Sequence, residues 1–412
     1  MRKTIQANSD GLTAITNAHI LDGERVIQEQ TVLIAGAHIL AVGGTVPAGA
    51  TIIDARGATL LPGLIDSHVH TDMPGLHDAL LFGVTTELEM NGRWSAKQRK
   101  EISERNDVAD LRSPGLGITP KGGHPTQYMS SSSNLLLRFF FRYPSVSNPH
   151  DAAKFVAKQV AQGADYIKIF IEDGSCVGFP GLPVLNDETL LASVQEAHKF
   201  NKMAIAHVTT LAEGKRAIAA GVDGLAHLFF DFPPTPEFIA VIASSGAFVT
   251  PTLVTISSAI GNNASALAAD KRVSSRLGKK WLDSLSRSMN VYPQGKLEDV
   301  YASVMVLHKA GVDILAGSDV SESIPSLGGL AHGASLHHEL QLLVAAGQMP
   351  IEALRAATST PARRFGLTDR GRIARGARAD PLLVDGDPNA NIGDTLSIRT
   401  VWRTGVQLTT QG

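Results

Sequence analysis

The first sixty residues alternate apolar and polar positions over short spans that Gly and Pro interrupt. TAITNAHIL, TVLIAGAHILAVG and ATIIDARGATLLPG therefore predict β-strands. The C-terminal tail has the same texture in GRIARGARADPLLVDGD and LSIRTVWRTGVQL. The middle is different: apolar strand runs alternate with segments of helical spacing. GLIDSHVH (63–70), VTTELEM (84–90), LRSPGLGIT (111–119), DYIKIFI (165–171), MAIAHV (203–208), VDGLAHL (222–228), AFVTPTL (247–253) and VDILAGSD (312–319) read as strands. Several follow a helix that ends in Gly, as in QG-AD and AG-VD. Asn186 predicts the N-cap of a helix over 186–201. Eight strand units match the (β/α)8 TIM barrel. An open doubly wound sheet also fits alternation alone, but the polar residues fall where a barrel needs them. The expected organisation is an α/β barrel over 61–365, with a small β-sandwich domain built from both termini, 1–60 and 366–412.

Two stretches depart from the alternation. Residues 120–149 and 255–295 are long insertions of the kind that form lids or other functional segments. Within the first, the run LLLRFFF (135–141) suits either a helix packed on the barrel or in a subunit contact, or a cover over the substrate.

Barrel chemistry sits at the C-terminal ends of strands. His68 and His70 end the first strand, and positions two apart share a face, so both imidazoles aim at one point. That geometry suits a divalent metal. Lys168 interrupts the buried strand DYIKIFI. A buried ammonium is costly and tends to lose its proton. An interior carboxylate partner would explain it, as would a Schiff-base role. A neutral amine can also add carbon dioxide, and the resulting carbamate has two oxygens able to bridge two cations. His207 and His227 end their strands about one strand–helix repeat apart, and Asp319 ends VDILAGSD. Six such residues at equivalent strand ends point to metal binding. Two cations would bring a bridging water toward a pKa of about 7, and Asp319 would serve as general base and then acid.

His68-x-His70, Lys168, His207, His227 and Asp319 together resemble the binuclear site of the amidohydrolase superfamily. LLPGLIDSHVHTD is similar to its opening strand, and PIEALRAATSTPARRFGL with GRIARGARAD to its closing helix and return. The resemblance covers nearly the whole chain. It is strongest to the imidazolonepropionase-related branch, which includes Xaa-Pro and Xaa-Arg dipeptidases and ochratoxinase-like amidases. It implies that His68, His70 and Asp319 hold the more buried metal, His207 and His227 the second, and a carbamylated Lys168 bridges both. Two departures stand out. Pro381 follows Asp380 where apolar residues usually continue, and TTELEM stands where relatives often carry an Arg-Asp pair.

His124, in PKGGHPTQY, belongs to a loop at the expected barrel mouth, where it would bind substrate or stabilise an oxyanion. That part of the loop resembles the Gly-Gly-His loop of the dipeptidase-like branch, and Tyr128 is its neighbour. The remaining histidines singled out (His77, His198, His308, His332, His337 and His338) are expected on the surface or on helices. Cys176 could line the pocket, but a cysteine hydrolase would need the histidines that the metal set already explains.

Composition narrows the field further. With 412 residues, 43% hydrophobic and 18% charged, the chain is a core-forming globular protein. A net charge of −2 gives no basic surface for nucleic acid or an anionic membrane. A single cysteine and no apolar leader lead to the expectation of a cytoplasmic protein. The expected partners are a small-molecule substrate and further copies of the chain. Zinc suits the His and carboxylate donors, with manganese, cobalt or iron tolerated. Three functions follow. The first is two-metal hydrolysis of an amide or peptide-like C–N bond in an N-acyl amino acid, dipeptide or aryl amide. The second is a one-metal deaminase or cyclic amide or amidine hydrolase. Such enzymes commonly place a Glu soon after the fifth-strand histidine, whereas here no acid follows His207 until Glu213. The third, a non-catalytic binding barrel, would not need the six-residue set.

Overall fold

A computed structural model of the chain describes residues 11–130 and 143–408. The run Leu135–Phe141 lies outside the described residues. The strands are β1 (Leu12–Leu21), β2 (Val26–Ala35), β3 (His38–Val42), β4 (Thr51–Asp54), β5 (Thr59–Pro62), β6 (Leu64–Val69), β7 (Val84–Glu89), β8 (Asp110–Arg112), β9 (Ile167–Phe170), β10 (Ala204–His207), β11 (Gly224–Ala226), β12 (Phe248–Thr250), β13 (Pro381–Val384), β14 (Ile398–Arg403) and β15 (Val406–Gln407).

Strands from both termini share one eight-stranded sheet, ordered β15-β14-β13-β5-β1-β2-β3, with β4 pairing β1. Its core draws on both ends of the chain: Ile15, Val32 and Leu60 pack with Ile373, Leu383 and Trp402. Pro381 does not interrupt the sheet. As the first residue of β13 it stands opposite Pro62, where a missing N–H does least harm.

The middle is parallel. β6-β7-β8 form one sheet and β9-β10-β11-β12 another. Residues 113–119 continue beyond β8 and bridge β9 at Ile118–Ile169. The segment read as the last strand, 312–319, is held by isolated bridges rather than a full ladder: Ile314 pairs Val249, and Val320 pairs Val69. Helices cover these strands. The helix Pro149–Ala161 starts on an Asn148 cap and buries Ala152, Phe155, Val156 and Gln159, one stripe at helical spacing. The helix Asp187–Lys199 is capped by Asn186, whose side chain accepts from the Thr189 N–H. Gly163, Gly221 and Gly311 take positive φ at the helix–strand junctions.

The insertion 255–295 is not an open loop. It forms short helices, among them Ser265–Ala269 and Lys279–Leu285. Leu267, Val273 and Leu285 pack there against Phe82, Ala334 and Leu396. Its apolar positions were spaced too irregularly for one long helix, but they bury well as several short ones.

A buried ion cluster joins the terminal segments to the parallel core. Asp110, fully buried on β8, binds Arg370 and lies 3.1 Å from Arg378 and 3.5 Å from Arg112. These arginines hold the Asp110 carboxyl well below its ordinary value, although burial acts in the other direction. Asp110→Ala would leave buried guanidinium groups without a counter-charge. The expected loss is about 3–5 kcal/mol of stability, read from urea unfolding. A change under about 1 kcal/mol would mean that other carboxylates, such as Asp369 and Asp380, sustain the cluster.

Candidate metal centre

The strand ends converge on a cluster of imidazoles around one carboxylate. Asp319 Oδ1 lies 3.2 Å from His68 Nε2 and 3.2 Å from His70 Nε2, and its Oδ2 lies 3.9 Å from His227 Nε2. Ligand atoms of His68, His227 and Asp319 all fall within 4.8 Å of one another. The His207 ring sits 4.6 Å from that of His227, edge to face. Lys168 is buried and its Nζ has no hydrogen-bond partner. It acts electrostatically on His68, His207, His227 and Asp319, which places it in the same charge cluster.

Local backbone explains the convergence. Gly317 lets the last strand segment press against β6, since a Cβ there would meet Thr250 Cγ2 at 2.6 Å and His68 N at 2.9 Å. Asp66 staples the same junction, accepting from the Ser318 hydroxyl at 2.6 Å and the Ser318 N–H at 2.9 Å. His227 (φ 29°), Thr252 (φ 52°) and Asp319 (φ 53°) all adopt left-handed backbone that non-glycine residues avoid. Strain gathered in this way is typical of a functional site.

Protonation follows from burial. Desolvation pushes His68, His124, His207 and His227 well below the usual imidazole value, so each is neutral with a lone pair to offer. Burial also brings Lys168 down to about 7, against the pull of Asp319 and Glu89. His70 goes the other way: burial opposes its charge, but hydrogen bonds to Asp319 and Glu89 raise it to about 9. Burial would raise the Asp319 carboxyl, yet His227, His70 and Lys168 hold it below its ordinary value.

The donor set fits divalent cations. His68 is fully buried with neither ring nitrogen hydrogen-bonded, and Lys168 Nζ is equally unpartnered. Such orphaned groups need a partner. Two further imidazoles of the cluster are held by neighbouring side chains. Thr252 Oγ1 holds His227 Nδ1 at 2.6 Å, leaving Nε2 toward Asp319. Glu172 Oε2 holds His207 Nε2 at 2.9 Å, leaving Nδ1.

A cavity of about 910 Å³ opens above the cluster, with His70, His207, His227 and Asp319 in its lining. His124 and Tyr128 line it too, their rings 5.7 Å apart. His124 stacks 4.5 Å from His207, and Gln127 Nε2 donates to its Nδ1 at 2.7 Å. That bond leaves the proton of the neutral ring on Nε2. Burial, Asp319 and Glu172 all raise the Tyr128 phenol. Trp94, Phe179, Phe230 and Trp281 contribute apolar wall.

Some residues behave otherwise than expected. His332 is neither on the surface nor on a helix. It is buried in the turn before the helix Ala334–Ala346, lines the cavity, and lies 3.7 Å from the buried Glu87. His337 lies on that helix, as expected, and bonds the Phe82 carbonyl at 2.8 Å. Cys176 is buried outside the cavity lining, and burial pushes its thiol up to about 12, which removes it as a nucleophile. Two carboxylates at the cluster had escaped notice. Glu89 lies 3.8 Å from His70, and Glu172 meets His207. Glu172 follows Lys168 by four positions, a spacing that keeps one strand face and could have marked it.

Residues 59–408 match the family model described as Amidohydrolase family. The chain is 23% identical over 396 residues to an adenine deaminase of Rubrobacter xylanophilus, spanning 93% of this chain and 54% of that protein. It is likewise 23% identical over 396 residues to the ochratoxinase of Aspergillus niger, covering 85% of this chain and 75% of the relative. Among solved structures, a prolidase complexed with N-methylphosphonate-L-proline superposes with a TM-score of 0.75 at 23% identity. That superposition covers 97% of this chain and 100% of the prolidase, and it speaks to the fold. The family match extends from β5 to the end of the terminal sheet, and the chain belongs to the amidohydrolase family.

Proposed function

We propose that this chain hydrolyses an amide or peptide-like C–N bond at a pair of divalent cations held by His68, His70, Lys168, His207, His227 and Asp319. The parallel segments from β6 to 312–320 are read as one closed (β/α)8 barrel over 61–365, flanked by a β domain from 1–60 and 366–412. The observation that carries the function is Lys168. Its amine is buried, unpartnered and held near 7 beneath neutral imidazoles and a carboxylate. An amine of that kind adds carbon dioxide, releases a proton and becomes an anion with two oxygens, which suits two cations.

Cations bound there would acidify water and polarise a carbonyl. The residues of the chain supply the rest. Asp319, ionised and central, accepts the proton of the attacking water and returns it to the leaving amine. His124 offers its Nε2–H to the carbonyl oxygen as charge develops there. Tyr128 borders the same space, and the aromatic wall excludes water and favours an apolar group on the substrate.

The adenine deaminase relatives keep a second reading in view. One observation weighs against it. Glu213, the first acid after His207, accepts N–H groups of Asp173, Thr209 and Thr210 at 2.8–2.9 Å. A carboxylate tied to three backbone donors is a structural clamp and a poor proton shuttle.

The bond type is tested on a panel of N-acyl amino acids, dipeptides and aryl amides beside adenine and cytosine analogues. Cleavage of an acyl amide is expected; ammonia release from nucleobases alone would overturn the assignment.

Metal analysis of protein purified without chelators should give two ions per chain, and Lys168→Ala should lose at least one. Short carboxylates would restore part of the loss by replacing the bridge. Full activity of the unmutated chain with a single ion would refute the two-metal reading.

Asp319→Asn keeps the size of the side chain but cannot take a proton. Its kcat should fall by about 100-fold or more. A near-normal kcat at neutral pH would move the base role to another residue.

A further inference from the structure

We infer that Glu172 is a positioning residue that fixes the tautomer and orientation of His207, and so sets the affinity of one of the two cation sites. The inference rests on the two-cation reading above.

Glu172 stands two residues beyond β9 and is almost fully buried. Both of its oxygens are engaged. Oε1 accepts the Gly174 N–H at 2.7 Å. Oε2 accepts the Thr209 hydroxyl at 2.7 Å and meets His207 Nε2 at 2.9 Å. A carboxylate pinned at both ends cannot swing away, and it draws the imidazole proton to Nε2. The Nδ1 lone pair is then the only ring nitrogen His207 can give to a cation. A hydrogen-bonded carboxylate also makes the imidazole a stronger donor.

The surrounding network is built to hold this pair together. Thr210 caps the helix Leu211–Ala219 and shares a capping box with Glu213. Glu213 takes the N–H groups of Thr209 and Thr210 after β10, and also that of Asp173 beside Glu172. One side chain thus ties the loop carrying Glu172 to the loop carrying Thr209, just beyond His207. Their separation is set by a buried clamp of the chain's own residues.

The test compares the metal-free full-length protein with its Glu172→Gln and Glu172→Ala variants. Zinc affinity at each site is measured by chelator competition, and cobalt loading gives an absorption spectrum. Glu172→Ala is expected to weaken one site by about 100-fold and leave the other unchanged. Glu172→Gln keeps an acceptor but not the charge, so it should rescue most of the affinity, with a loss of about 10-fold. The cobalt spectrum should change in the Ala variant and stay close to the parent in the Gln variant. Equal weakening of both sites with a lowered melting temperature would overturn the inference in favour of a purely structural role. If the Ala variant does not fold, the Gln variant decides: parental affinity at both sites overturns the inference. If the unmutated protein takes up fewer than two ions, the two-cation reading fails and this inference falls with it. That result is separable because it concerns the parent chain alone.

Discussion

A buried lysine amine with no hydrogen-bond partner sits among neutral imidazoles and within the field of Asp319 and Glu89, and the middle of the molecule is organised around that fact. Burying a single amine costs stability unless it sheds its proton or gains a counter-charge. Lys168 is brought to about 7, and His68, His124, His207 and His227 are held neutral by the same desolvation. His68, His207 and His227 thus keep free lone pairs for cations, while His70 is held as the partner of Asp319 and Glu89. The buried floor and the open cavity above it divide the work: His68 and Lys168 lie outside the cavity lining, while His70, His124 and Asp319 face the space a substrate would fill.

Convergence is achieved by backbone as much as by side chains. His227, Thr252 and Asp319 turn through left-handed conformations at the strand ends, and Gly317 gives up its side chain so that the last segment can lie against His68. The strain is tolerated because Asp66, Glu213 and Glu339 clamp nearby backbone N–H groups. Glu339 alone accepts those of Leu253 and Val254. Burial raises the carboxyls of Asp66, Glu213 and Glu339 above the ordinary carboxylate range, and the backbone N–H groups they accept act in the other direction.

The elements legible in the sequence were those with strong local signatures. Most strand runs ending in histidine, Gly at helix–strand junctions and the Asn186 cap each follow from a few adjacent residues and lie where those residues suggested, whereas the run ending at Asp319 is held by isolated bridges only. The helical insertion 255–295 was less legible, because short helices bury scattered apolar residues that show no sustained period. His332 was misjudged for a related reason: its neighbours Glu87 and Trp281 are far away in sequence, and only the fold brings them to it.

By itself the sequence determined the residue types available for chemistry and the strand ends that carry them, because alternation and turn residues act over a few positions. It also determined the family, through motifs spread from β6 to β13. Tertiary structure alone decided which nitrogen of His207 and of His227 is engaged, since that depends on Glu172 and Thr252. It alone decided that Glu89 and Glu172 belong beside the cluster and that Cys176 does not line the cavity. Hydrogen bonds and desolvation depend on what surrounds a group in space, and residues far apart along the chain supply those surroundings.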